Sequence, residues 1–190
     1  SARLGGFFFV IIIARFLMPE NFGIYTLAFS ITLIILTAID TGLNQSLLKY
    51  VSEALNKKNK KLAAANFRYL LKVKIFVTLL ALLVLIILAY PLSFYVFKKP
   101  QLFLPLILSS IYMATISISS FYSSYFYIIK KLAHVTIKQT IFEVARIAGV
   151  LLAFLIIAKE QYIIGTFGVL ILSMILSTLY LFYHLKKMSP

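Results

Sequence analysis

Six long apolar runs constrain this chain more than any other feature. They cover roughly residues 3–18, 22–43, 67–90, 102–129, 135–158 and 162–185. A helix rising 1.5 Å per residue needs about 20 apolar residues to cross a hydrocarbon core of about 30 Å. Backbone exposed to lipid must satisfy its own hydrogen bonds, and the runs lack the strict alternation of a barrel strand, so helices are the required conformation. The expected fold class is all-α, a polytopic membrane protein built as a six-helix transmembrane bundle.

Composition removes the other classes. Only 13% of the 190 residues are charged, against 62% hydrophobic, whereas a soluble domain carries about 25% charge. Disorder requires low hydrophobicity with high charge, and 17 Phe and 12 Tyr contradict it. With no Cys there is neither a disulfide framework nor a thiolate metal site.

The first run, Leu4 to Met18, is short for a span, and the chain opens on Ser1. Part of that span is therefore expected upstream. A signal peptide does not fit, because no small-residue cleavage site follows and further apolar spans do. Pro19, Glu20 and Asn21 are expected to stop the first helix, with Asn21 capping the second. Pro91 and the run Lys98 to Gln101 separate the third span from the fourth. Pro105 falls in the first turn of the fourth, where a missing N–H costs little, and Lys159 to Gln161 link the last two.

Lys and Arg accumulate on cytoplasmic loops. With the N-terminus inside, fourteen of the 19 basic residues fall on inner segments and four (Arg15, Lys98, Lys99, Lys159) on outer ones. Both termini of this stretch are thus expected in the cytoplasm, in a multi-pass protein of the cell membrane. The +14 net charge reads as topology and contact with anionic lipid, with no nucleic-acid partner. Residues 47–65 are expected to form a cytoplasmic amphipathic and basic loop. Leu47, Val51 and Leu55 recur every four residues opposite Lys49, Ser52 and Glu53, as in a helix lying on a leaflet; a solvated linker is the alternative.

Ionisable groups within spans are costly and tend to face a bundle interior or aqueous cavity. Arg3 and Arg15 lie about 18 Å apart along the first helix. Each either faces such a cavity or snorkels to its own interface. Asp40, near the inner end of the second span, is either a coupling-ion ligand or part of a helix cap. Glu143 and Arg146 share one face of the fifth helix at i, i+3. They form either a self-neutralising pair or the charged lining of a cavity. On the fourth span Tyr112, Ser119 and their neighbours repeat at helical spacing, as close packing would use and as a sugar-lined passage would too. His134 and His184 are 50 residues apart with no partner nearby in sequence. No catalytic motif, phosphate loop or metal-ligand pair is present, so neither an enzyme nor a cofactor is expected.

The segment Ala14-Arg15-Phe16-Leu17-Met18-Pro19-Glu20-Asn21-Phe22-Gly23-Ile24-Tyr25 resembles the Ala-Arg-x-Leu-x-Pro-Glu-x-Phe-Gly-x-Tyr signature of polysaccharide flippases, the O-antigen-type branch of the MOP (MATE-like) exporter superfamily. Asp40-Thr41-Gly42-Leu43 and Lys49-Tyr50-Val51-Ser52-Glu53 are similar to that family's Asp-x-Gly-Leu and Arg-Tyr-(Val/Ile)-(Ala/Ser)-Glu stretches. Tyr127 to Lys131 and the Glu143-x-x-Arg146 pair agree as well, while Met18 stands where the family usually has Gly.

The resemblance implies two bundles of six helices, of which this chain is the N-terminal one, with the C-terminal bundle as its missing partner. It implies export of a polyprenyl-(pyro)phosphate-linked oligosaccharide by alternating access, around a cationic cavity to which Arg3, Arg15 and Arg146 would contribute. Competing expectations are a multidrug/toxin or lipid II exporter of the same superfamily and a non-transporting membrane scaffold. A polyprenyl-linked glycosyltransferase would need acidic pairs in larger outer loops.

Overall fold

The structure, a computed structural model, describes residues 2–158 and 161–188, with side chains described for 5–158 and 161–187. Every element among them is helical: α1 (Ala2–Phe16), α2 (Pro19–Asn56), α3 (Lys60–Pro91), a π-helical turn (Leu92–Val96), a 3-10 turn (Pro100–Leu102), α4 (Phe103–Ile128), α5 (Leu132–Ile156) and α6 (Tyr162–Met188). Five of these helices are long and apolar enough to cross a membrane, while α1 is shorter. The Arg3 side chain and the Lys159-Glu160 link lie outside the described residues.

Helix α4 is the axis of the bundle. It packs on α2, α3 and α6, whereas α5 packs mainly on α6 and α1 rests mainly on α5. Its small side chains make this possible. Ser109, Ser110 and Ser117 are wholly buried, and each hydroxyl is bonded, two of them to the Leu106 carbonyl one turn back. Ser109 also reaches the Ala28 carbonyl on α2 at 3.3 Å, so the two helices meet at backbone distance. The largest core cluster joins Phe9, Tyr25, Tyr112, Phe142, Phe154 and Phe167 from five helices.

Two local expectations change. Pro19, not Asn21, starts α2: it is the first helical residue, where its missing N–H would be unpaired in any case. The stretch 47–65 is not a leaflet-lying loop. Helix α2 continues to Asn56, and only a tight turn separates it from α3. The apolar stripe of Leu47 and Val51 is real, but it faces Leu70 of α3 and Phe121 of α4. A stripe at helical spacing is satisfied equally by lipid and by a neighbouring helix, and here the start of α3 supplies one. At 38 residues α2 is about 57 Å long, beyond the about 45 Å of a bilayer with headgroups.

Helices α2 and α4 end alike. Lys58 and Lys130 adopt left-handed conformations (φ 56° and 57°), and the next N–H reaches back to a carbonyl five residues earlier, Asn59 to Ala54 and Lys131 to Phe126. This is the closing pattern usually given to glycine. Asn59 then caps α3, its side chain accepting the Leu62 N–H at 3.0 Å. The basic runs at 57–61, 130–131 and 186–187 all sit at this end of the bundle, hereafter the basic end.

Candidate functional site: two buried ion pairs

Three ion pairs are formed among the described residues. Glu53 and Lys57 make an exposed one on the α2 surface; the other two lie inside the bundle, where a charge without a partner would be expensive.

The first interior pair belongs to α5. Arg146 Nη2 donates to Glu143 Oε2 at 2.5 Å, and both side chains are largely buried. Gln139, one turn before Glu143, donates to its other oxygen at 3.1 Å. The guanidinium is held between two rings, its Cζ 4.6 Å from the centre of Phe9 and 5.0 Å from that of Phe142. Arg146 Nε is buried without a hydrogen-bond partner. Helix α1 can come this close because it presents Gly5 and Gly6. A methyl group on Gly5 would collide with the Glu143 carboxylate, and one on Gly6 would stand 3.6 Å from Arg146 Nη2. Tyr25 and Tyr112, both buried, lie within electrostatic reach of Arg146. Beside the pair runs a groove of about 650 Å³, lined by Gly5, Tyr127, Thr136, Gln139, Thr140 and Glu143 among others, which descends toward the basic end.

The second pair joins α2 to α3. Lys74 Nζ donates to Asp40 Oδ1 at 2.5 Å, and the lysine side chain is 0% exposed. Ser117 Oγ donates to the same carboxylate oxygen at 3.0 Å and Ser120 Oγ to the other at 2.6 Å, bringing in α4. Asn44 bridges, accepting from Lys74 at 3.4 Å and donating to Ser120 at 3.1 Å. Thr78 closes the set through Ser117 at 3.2 Å. Both carboxylate oxygens are thus used, as a buried charge requires.

Residues 1–188 match the family model described as polysaccharide biosynthesis protein. The chain belongs to that family. No curated protein and no solved structure matches it. Family and helix lengths together make it a multi-pass membrane protein of polysaccharide biosynthesis, in contact with the lipid bilayer.

For this polysaccharide biosynthesis protein, the structure gathers Glu143, Arg146 and Tyr112 into one neighbourhood and separates the remaining sequence candidates. Asp40 is in the second pair. Arg15 is exposed in the last turn of α1. Ser119 is buried in helix packing, its hydroxyl without a partner. Lys74, in the 67–90 run, is absent from the sequence candidates because it reads there as one of the inner-segment cations. The available signal was its setting, Val73 before it and Ile75, Phe76 and Val77 after it, which is no place for a loop lysine. The histidines also find each other: the rings of His134 and His184 are 4.7 Å apart, and His134 Nδ1 lies 3.2 Å from the Tyr180 hydroxyl. No group of three metal-ligating side chains occurs among the described residues.

Proposed function

We propose that these residues are the N-terminal six-helix bundle of a MOP-superfamily flippase that moves a polyprenyl pyrophosphate-linked oligosaccharide across the cell membrane by alternating access, with both termini of this stretch cytoplasmic. In this reading the protein is a transporter and not an enzyme, needs no cofactor, and completes its passage with a second bundle of the same chain. Family membership supports a role in polysaccharide synthesis. One observation carries the substrate assignment: Arg146 sits inside the bundle with Nη2 on Glu143 and Nε unpartnered.

Those two donors lie on one edge of the planar guanidinium, the edge that grips a phosphate through two parallel hydrogen bonds. Glu143 occupies half of it. A pyrophosphate arriving along the groove displaces the carboxylate from Nη2 and takes Nε in the same motion, while Gln139 retains Glu143. Release reverses the exchange, so the buried cation is never left without an anion. Phe9 and Phe142 hold the guanidinium plane throughout. Lys74 already supplies the counter-cation that a coupling ion at Asp40 would provide, so we assign the Asp40 pair to bracing α2, α3 and α4.

The test is glycan export by variants of the full-length protein at matched expression. Arg146→Ala should abolish export, and Arg146→Lys should retain only part of it, because an ammonium lacks the two-point edge. Arg146→Ala also orphans Glu143, so the double variant Glu143→Gln with Arg146→Ala is the control. It should fold normally and remain inactive. Near wild-type export from the double variant would reduce the pair to charge neutralisation and end the cavity assignment.

A further inference from the structure

At the basic end, on the α3, α4 and α6 side of the bundle, a second groove of about 520 Å³ collects cations from three separate elements. Arg68 comes from α3, Lys131 from the start of α5 and Lys186 from the last turn of α6. All three are exposed and stand over an apolar floor that includes Phe67, Tyr125 and Leu185. Among the described residues, no acidic side chain lines the groove. Phe182 forms one wall and also lines a furrow of about 330 Å³ that runs on between α4 and α6, past Ile118, Tyr122, Ile175 and Leu179. Besides Tyr122, the hydroxyls lining it among the described residues are those of Thr115 and Thr178, both spent on their own helices, donating to the Tyr112 and Met174 carbonyls at 2.7 Å. The furrow thus offers hydrocarbon a nearly apolar slot.

We propose that this groove and furrow form a binding site for an anionic phospholipid of the surrounding leaflet. Its phosphate sits among Arg68, Lys131 and Lys186, and one acyl chain lies in the furrow past Phe182. The two halves of the site match the two halves of such a molecule in sign and in order: cations at the bundle end, apolar wall toward the membrane middle. A soluble anion would use only the groove, and a neutral lipid only the furrow. The site is separate from the Glu143 and Arg146 pair, which faces α1, and does not depend on the transport reading. Occupied, it ties α3, α5 and α6 together around α4.

The experiment is native mass spectrometry of the full-length protein titrated in detergent with phosphatidylglycerol or phosphatidylcholine. The wild type should bind phosphatidylglycerol in preference. Each cation near an anionic headgroup contributes about fivefold, so Arg68→Gln, Lys131→Gln and Lys186→Gln together should weaken it by about a hundredfold. All three are surface positions; should the triple variant lose its thermal transition, Lys186→Gln alone should still show the fivefold loss. Removing the same charge at Lys57, Lys58 and Lys60, also at the basic end, should change nothing. Ile175→Trp, which fills the furrow, should weaken phosphatidylglycerol but not glycerophosphoglycerol, its headgroup without chains. Three results would each overturn the proposal: equal loss from the two charge-removal triples, which means a diffuse surface field; glycerophosphoglycerol or inorganic phosphate binding as well as the lipid, which means an anion pocket alone; or displacement of phosphatidylglycerol by equimolar polyprenyl pyrophosphate, which means a substrate entrance.

Discussion

The two interior ion pairs have the same chemistry and opposite surroundings. Around Asp40 and Lys74, four further polar side chains from three helices complete a network in which Ser117 and Ser120 bond the two carboxylate oxygens, and the lysine has no exposed surface. Around Glu143 and Arg146, one edge of the guanidinium is half used and flanked by two aromatic rings, and the carboxylate, which accepts from Gln139, borders a groove. The difference separates a pair that holds helices from a pair that can exchange partners. A fully satisfied network gains nothing by opening, whereas a pair with an unpartnered donor gains whenever an anion completes it.

This contrast can be broken by removing one charge at a time. Lys74→Met leaves Asp40, only 20% exposed, with no cation, and breaking a buried pair costs up to about 3–5 kcal/mol. Thermal unfolding in detergent should show that loss, and adding Asp40→Asn should restore most of it. If Lys74→Met unfolds like the wild type, the Asp40 pair is not a brace and the comparison fails. A smaller effect is expected where α1 meets α5. Gly5→Val places methyl groups against the Glu143 carboxylate, and overpacking of this kind costs about 1–3 kcal/mol. Glycan export should fall further than stability does, since the same displacement disturbs the exchange at Arg146. Equal losses would mean that α1 merely packs there.

The smallest effect sharpens the comparison by lying outside both pairs. Lys130 holds a left-handed backbone at the end of α4, a conformation that costs a residue with a Cβ about 1–2 kcal/mol. Lys130→Gly should therefore raise the unfolding midpoint, by about 1 kcal/mol in stability, with export unchanged. A lowered midpoint would show that the lysine side chain contributes more there than its backbone strain removes.

Helix positions are largely legible in the sequence because apolar length reports directly on bilayer thickness, and the i, i+3 spacing alone places Glu143 and Arg146 on one face. What lay beyond one helix was not. Lys74 and Asp40 are 34 residues apart, and nothing local to either names the other. The Gly5 contact depends on how α1 crosses α5, and spacing along one helix carries no information about crossing. Residues 47–56 show the same limit from the other side. The periodicity over 47–65 suggests a face laid on a leaflet, yet periodicity says only that a face is covered, not by what. The serines of α4 read as packing first and as a passage second, and their burial follows from the central place of that helix, which is a property of the whole bundle.

Helix α2 is unbroken from Pro19 to Asn56 and outruns the bilayer, and its far end is clamped to α3 through Leu47, Val51 and Leu70. An uninterrupted rod of that length behaves as a lever. A tilt of about ten degrees about its midpoint swings either tip by about 5 Å. The Asp40 network lies past the middle of the rod, so α3 and α4 swing with it. The turn at 57–59 is then the pointer of a dial, where a spectroscopic label would register small rotations of the whole bundle as large displacements in water.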